Sequence, residues 1–128
     1  MLSELTKPAP DENVIEWLRR HEADLVVNPI ILGEIEYGIL IMPAGHRRAR
    51  MEEWFDRVIQ TLESVDLDKE AATAWARLLA DLKERGLVMP VKDSLIAATA
   101  LARGFKVATR NTADFKNAGV PLENPFSH

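Results

Sequence analysis

Three acidic residues, Glu34, Asp93 and Asp114, stand where an α/β fold would deliver polar side chains to one edge of a sheet. Glu34 lies on a predicted helix directly behind the apolar strand 25–27. A carboxylate in such apolar sequence is costly to bury unless a cation pairs with it. Asp93 opens an apolar helical run, where the helix dipole favours negative charge. Because hard divalent cations prefer oxygen ligands, these residue types predict a divalent-cation site.

Asp114 follows a predicted buried strand that runs from Lys106 to Arg110. Ligands of open α/β sheets gather outside the carboxyl ends of the strands, which is where Asn111 and Asp114 would lie. Arg110, beside these acids, is a candidate for a phosphate contact or for charge balance, and we favour charge balance in the free protein. With 20 Asp and Glu in the chain, two simpler interpretations stay open: Asp93 could be an N-cap, and Asp114 could cap the turn 113–116.

The composition is that of one ordinary domain over residues 1–128, with a mass of 14.4 kDa and 47% hydrophobic residues. The absence of Cys excludes thiolate metal sites and fits a reducing cytosol. No apolar stretch is long enough for a membrane span and no signal peptide is evident, so we expect a cytoplasmic, soluble protein. A net charge of −4 excludes a generalised basic surface for nucleic acid, so any such contact must be local.

Short apolar runs alternate with longer amphipathic ones, which predicts a parallel sheet with helices on both faces. Asn28-Pro29 is a strong helix start, and Asp68 is a predicted N-cap. The predicted helices cover about 11–20, 29–39, 51–62, 69–86 and 93–104, and the predicted strands cover 25–27, 64–67, 106–108 and 120–122.

The segment from His46 to Arg50 is the strongest basic cluster, and it opens the third predicted helix. It could hold RNA phosphates or meet an acidic partner, or it could simply be a solvated helix start. None of the Ser residues has a plausible His partner, and the Gly residues form no phosphate-binding fingerprint. A Ser hydrolase and a nucleotide-binding protein therefore have no support.

Several segments, taken in order, resemble the toxin branch of PIN-domain ribonucleases, the VapC-like partners of toxin–antitoxin pairs. The Asp93 and Thr109 segments are the most specific together. The matching segments are Leu2-Ser-Glu-Leu-Thr-Lys-Pro8, Leu32-Gly-Glu-Ile-Glu-Tyr-Gly38, Asp93-Ser-Leu-Ile-Ala-Ala-Thr-Ala100, Thr109-Arg-Asn-Thr-Ala-Asp-Phe115 and Asn124-Pro-Phe126.

The resemblance implies a three-layer α/β/α domain with a central parallel sheet and an Mg²⁺- or Mn²⁺-dependent site that cleaves RNA. Glu34, Asp93 and Asp114 match the second, third and fourth acids of the family, and Asn111 matches a neighbouring polar ligand. The resemblance also implies a cognate antitoxin and a homodimer. Under this interpretation the metal orients the phosphodiester and helps to ionise an attacking water, and no covalent protein intermediate is needed.

The chain departs from the family at its start, because the first apolar strand and the first acid have no counterpart here. A misplaced start codon at Met1 is one explanation, and a genuine truncation is the other. A truncation should leave neighbouring strands unpaired. It should also weaken or abolish cleavage, because the remaining acids repel one another.

Two competing hypotheses remain. One is a truncated, catalytically impaired homologue that binds antitoxin without cleaving RNA, using the helical surface from Met51 to Leu62. The other is receiver-like or phosphatase-like phosphotransfer, which is weaker because its nucleophilic Asp would end the strand that has no counterpart.

Overall fold

The computed structural model describes Arg20 and residues 25–109 and 112–124. The predicted helix over 11–20 therefore lies outside the described residues, apart from Arg20. Five α-helices and four short strands lie within residues 25–109 and 112–124. In chain order they are β1 (Val26–Val27), α1 (Pro29–Leu40), α2 (His46–Arg57), β2 (Glu63–Ser64), α3 (Lys69–Glu84), α4 (Val91–Arg103), β3 (Val107–Ala108), α5 (Thr112–Phe115) and β4 (Leu122–Glu123).

All four strands pair in parallel, as the alternating pattern predicts. β1 pairs with β2 in the register Val26 to Glu63, and β3 pairs with β4 in the register Val107 to Leu122. Within the described residues these are two separate two-stranded sheets, with no strand joining them. The α/β class is confirmed.

Most element boundaries follow local signals. Asn28 caps α1 as predicted, with its Oδ1 accepting a hydrogen bond of 2.8 Å from the Ile31 N–H, and Pro29 occupies the first helical position. α4 ends where Gly104 adopts the left-handed conformation at φ 71°, which other residues adopt at a cost. These boundaries fix the two helices that carry Glu34 and Asp93.

Several boundaries differ from the predictions. The third helix was expected to continue to Leu62, but α2 ends at Arg57. A short 3₁₀ helix follows over Ile59–Thr61. The last strand lies later than predicted, because Pro121 has no N–H and contributes only its carbonyl, which accepts from the Val107 N–H at 2.9 Å. The weakly patterned strand 64–67 forms instead over Glu63–Ser64.

One apolar core spans both sheets and the inner faces of the helices. Its most deeply buried large side chains are Phe115, Ile31, Ile35, Ile59, Ile96, Val27 and Val107. α3 and α4 pack as an antiparallel pair, and α4 also contacts α1 and α5. α4 is therefore the element against which the others are positioned. None of the helices in the described ranges has the length and apolar character needed to span a bilayer.

Asp68 joins the start of α3 to the end of α4. Its Oδ1 accepts from the Ala71 N–H at 2.9 Å, and its Oδ2 pairs with Arg103. The hydrogen bond from Ala71 and the positive charge of Arg103 hold the pKa of Asp68 below its ordinary value of 3.8. A lowered folded-state pKa means that the stabilisation is complete above pH 3.8 and is lost as the pH falls through the folded value.

We expect Asp68→Asn to remove this pH dependence while keeping a capping oxygen for Ala71. The melting temperature of the variant should lie below that of the parent at pH 7, and the gap should shrink as the pH falls below 3.8 and through the lower folded-state pKa of Asp68. Thermal unfolding followed by circular dichroism measures both values. Asp66→Asn, two residues earlier and exposed, is the matched control, and a gap that stays constant with pH would contradict the role of Asp68.

Candidate metal centre

Glu34 lies in the middle of α1, between the buried residues Ile31 and Ile35. Its side chain is partly buried, and its Oε1 atom is shielded from solvent. Burial favours a carboxylate only where positive charge or hydrogen bonding compensates for the lost hydration. Glu34 therefore lies in an environment where a cation would be stabilised.

Asp93 lies in the first turn of α4, and it is not the N-cap. The helix begins two residues earlier than predicted, at Val91, with Pro90 in the cap position and no side-chain cap hydrogen bond. The simpler interpretation of Asp93 as a cap is thus wrong. Its partly buried carboxylate lies within the positive end of the helix dipole, which stabilises negative charge there.

Asp114 is the third residue of the short helix α5 and is exposed to solvent. It is therefore not a cap either, because capping residues precede the first turn. Its neighbour Phe115 is buried, and this anchors α5 against α4. Asp114 is thus carried on an element that contacts the helix of Asp93.

The fold places the three acids on α1, α4 and α5, and α4 contacts each of the other two helices. Within residues 25–109 and 112–124, however, no three His, Asp or Glu side chains converge closely enough to hold a metal ion. Arg110 and Asn111, the other predicted site residues, lie outside the described residues. Carboxylate oxygens suit Mg²⁺ or Mn²⁺ chemically, but the described residues alone do not complete the site.

A buried hydrogen bond ties the helix of Glu34 to the helix of Asp93. Asn28 Nδ2 donates to Thr99 Oγ1 at 3.3 Å, and Thr99 Oγ1 donates in turn to the Leu95 carbonyl at 2.8 Å. Asn28 and Thr99 are both fully buried. The sequence predicts the capping role of Asn28 but misses its contact with Thr99. A Thr inside an apolar helix was the available signal, because a buried hydroxyl requires a partner.

A second hydrogen bond fixes the start of α4 next to Asp93. Ser94 Oγ donates to the Val91 carbonyl at 2.6 Å and accepts from Trp75 Nε1 of α3 at 3.0 Å. The sequence assigns Trp75 to the core. The structure shows a partly exposed side chain whose indole N–H has a specific acceptor. Hence α4 is held both at its first turn and at its middle.

The PIN domain family model matches residues 2–121. Among the relatives of this chain, the VapC ribonuclease Y4jK of Sinorhizobium fredii is 36% identical, and the match covers 98% of this chain and 93% of that protein. The chain therefore belongs to the PIN-domain family, in its VapC-like branch.

Solved structures agree with this assignment. FitAcB from Neisseria gonorrhoeae superposes with a TM-score of 0.82 and 27% identity, covering 99% of this chain and 98% of that chain. VapBC-5 of Mycobacterium tuberculosis, a member of a family of toxin–antitoxin systems, superposes with a TM-score of 0.63 and 30% identity, covering 73% and 75%. The predicted PIN-like α/β fold is thus confirmed.

Thr99→Val should destabilise the protein by about 1–3 kcal/mol, because Val keeps the shape but leaves the buried Asn28 amide without its acceptor. Asn28→Ala should cost about 0.5–2 kcal/mol through loss of the cap. Together the two changes should cost less than the sum of the single effects, since they remove one shared interaction. Urea denaturation of the four proteins measures this coupling.

Thr73→Val on the exposed face of α3 is the control for Thr99→Val, and it should change stability by less than about 0.5 kcal/mol. Strictly additive effects of the Asn28 and Thr99 changes would show that the hydrogen bond between them contributes nothing.

Proposed function

We propose that this chain is the toxin of a type II toxin–antitoxin pair and that it is an Mg²⁺- or Mn²⁺-dependent endoribonuclease. The observation that carries the proposal is the family match across residues 2–121, to relatives that include a named VapC ribonuclease. The placement of Glu34 and Asp93 on two contacting, hydrogen-bonded helices supports it. The substrate is RNA, and the bond cleaved is a phosphodiester.

In this proposal Glu34, Asp93 and Asp114 are the catalytic acids and metal ligands, with Asn111 as a further oxygen ligand. When bound, Mg²⁺ or Mn²⁺ supplies Lewis-acid stabilisation of the phosphodiester and lowers the pKa of an attacking water. The first-turn position of Asp93 favours its negative charge, and the shielding of the Glu34 Oε1 atom from water increases the need for a compensating cation there. Arg110 balances the acidic charge in the free protein and contacts phosphate in the complex.

The proposal includes a cognate antitoxin and a homodimeric assembly in the cytoplasm. Complexes of related proteins carry the names FitAcB and VapBC, the latter within a family of toxin–antitoxin systems. The lack of Cys is compatible with a reducing compartment. An antitoxin that covers the acids would exclude RNA from them and so inhibit cleavage.

Two variants of the proposed catalytic acids, each with a control variant of the same chemical change, test the proposal. We expect Asp93→Asn and Glu34→Gln each to reduce the rate of RNA cleavage by at least about 10- to 100-fold, the loss typical for groups that merely support a metal ligand. A chelator should abolish cleavage by the parent. The measurement is cleavage of a fluorescently labelled RNA in Mg²⁺ and in Mn²⁺.

The control variants are Glu36→Gln and Asp66→Asn. Glu36 is exposed and lies on the same helix as Glu34, and Asp66 is exposed in a loop. Both controls should cleave like the parent. Cleavage that withstands the chelator and both acid substitutions would remove the proposal. A protein extended by the residues encoded upstream of Met1 should be assayed as well. If it also binds antitoxin without cleaving RNA, the catalytically impaired homologue is favoured instead.

A further inference from the structure

Three large apolar side chains are exposed within five residues at the end of α1. Tyr37 is 64% exposed, Leu40 54% and Ile41 64%. Scattered surface apolar residues are normal, but a local group of this kind indicates an interaction surface. We call these three residues the apolar end of α1.

Two residues of the apolar end of α1 lie on the same face of the helix as Glu34. Tyr37 follows Glu34 by three residues and Ile41 follows it by seven, which places all three on one face of the helix. Ile41 keeps right-handed helical backbone angles as the C-cap, so this spacing holds to the end of the helix. Anything that covers Tyr37 and Ile41 therefore lies within one or two turns of Glu34.

Two arginines lie at the start of α2, directly after the turn that follows α1. Arg47 and Arg50 are exposed on the first turns of α2 and form no ion pair within the described residues, whereas Arg48 pairs with Glu52 at 2.7 Å. The cap residue, Gly45, provides no side-chain hydrogen bond, and the first turn contains no acid. The uncapped N–H groups and the helix dipole thus add to the charge of the two arginines.

The two features are held together as one surface. α1 contacts α2, and the Arg48 guanidinium donates to the Met42 carbonyl in the connecting turn at 3.4 Å. The result is an apolar surface next to a cationic one, on a chain whose formal net charge is −4. The charge of this surface is therefore positive, whereas the net charge of the whole chain is negative.

We propose that this surface, from Tyr37 and Ile41 to Arg47 and Arg50, docks an amphipathic, acidic segment of the antitoxin. Apolar side chains of that segment cover the apolar end of α1, and its carboxylates pair with Arg47 and Arg50. The identity of the partner rests on the proposed function; the chemistry of the segment rests on the surface. Docking there blocks access to Glu34 and so inhibits cleavage by steric exclusion.

Charge and shape distinguish this partner from two others. In a two-fold dimer built on this surface, the arginines of one copy would meet the same patch of the other and repel it. RNA would gain from the arginines and could stack on Tyr37, but Leu40 and Ile41 offer no ring for a base and gain most from apolar side chains. An acidic amphipathic segment satisfies both halves of the surface.

The test is binding of the purified product of the neighbouring gene to this chain, measured by isothermal titration calorimetry at two salt concentrations. We expect the double variant Arg47→Glu, Arg50→Glu to weaken binding at least about 10-fold and to reduce its salt dependence. Ile41→Ser should also weaken binding, with the salt dependence unchanged. RNA cleavage without the partner should equal that of the parent in all these variants.

The double variant Arg77→Glu, Lys83→Glu on the exposed face of α3 matches the charge change, and Val88→Ser matches the loss of an exposed apolar side chain. Both controls should bind like the parent. Unchanged partner binding in the Arg47, Arg50 and Ile41 variants would overturn the docking surface while cleavage still supports the nuclease. A loss of RNA cleavage, a change of oligomeric state by light scattering, or no binding by the parent would each overturn it as well.

Discussion

The fully buried hydrogen bond between Asn28 and Thr99 is the contact on which the arrangement of the candidate site depends. Asn28 terminates β1 and caps α1, and its side-chain amide donates to Thr99 of α4. One residue thus connects a strand, the helix of Glu34 and the helix of Asp93. Because both partners are buried, loss of either leaves a polar group without its partner, and that penalty favours this one packing of α1 on α4.

Further contacts also fix the position of α4. Trp75 holds its first turn through Ser94, Arg103 holds its last turn through Asp68, and Gly104 lets the chain leave for β3. A helix fixed at its start, middle and end presents the Asp93 carboxylate in a constant position. Preorganisation of this kind is what a metal centre requires, since its ligands must be held before the ion arrives. The exposed apolar and cationic residues at the α1–α2 corner contribute little to this core, which leaves them available for a partner.

Local chemistry made much of the fold predictable from the sequence. Asn28-Pro29, Asp68 and Gly104 each mark a helix end by a short-range mechanism, and those boundaries agree with the structure. The start of α4 differs from the prediction because Pro90 takes the cap position and the helix begins before the first acid. The shift of β4 follows from Pro121, whose ring removes a ladder donor. These errors arise where two local signals compete.

Contacts between distant residues could not be predicted in the same way. Nothing in the spacing of Asn28 and Thr99, or of Trp75 and Ser94, indicates that they meet, because those pairs are created by the packing of whole helices. The division of the parallel strands into two sheets likewise depends on tertiary pairing. Residue type and placement predict Glu34, Asp93 and Asp114, and the structure adds that the helix of Asp93 contacts the helices of the other two acids.

We propose that Glu34 and Asp93 act together in binding a divalent cation. Titration with Mn²⁺ followed by electron paramagnetic resonance tests it directly, without RNA or antitoxin. We expect equal Mn²⁺ affinity for the parent and Glu36→Gln, and at least about 10-fold weaker Mn²⁺ binding for Glu34→Gln and for Asp93→Asn. Equal affinity in all four proteins would contradict it.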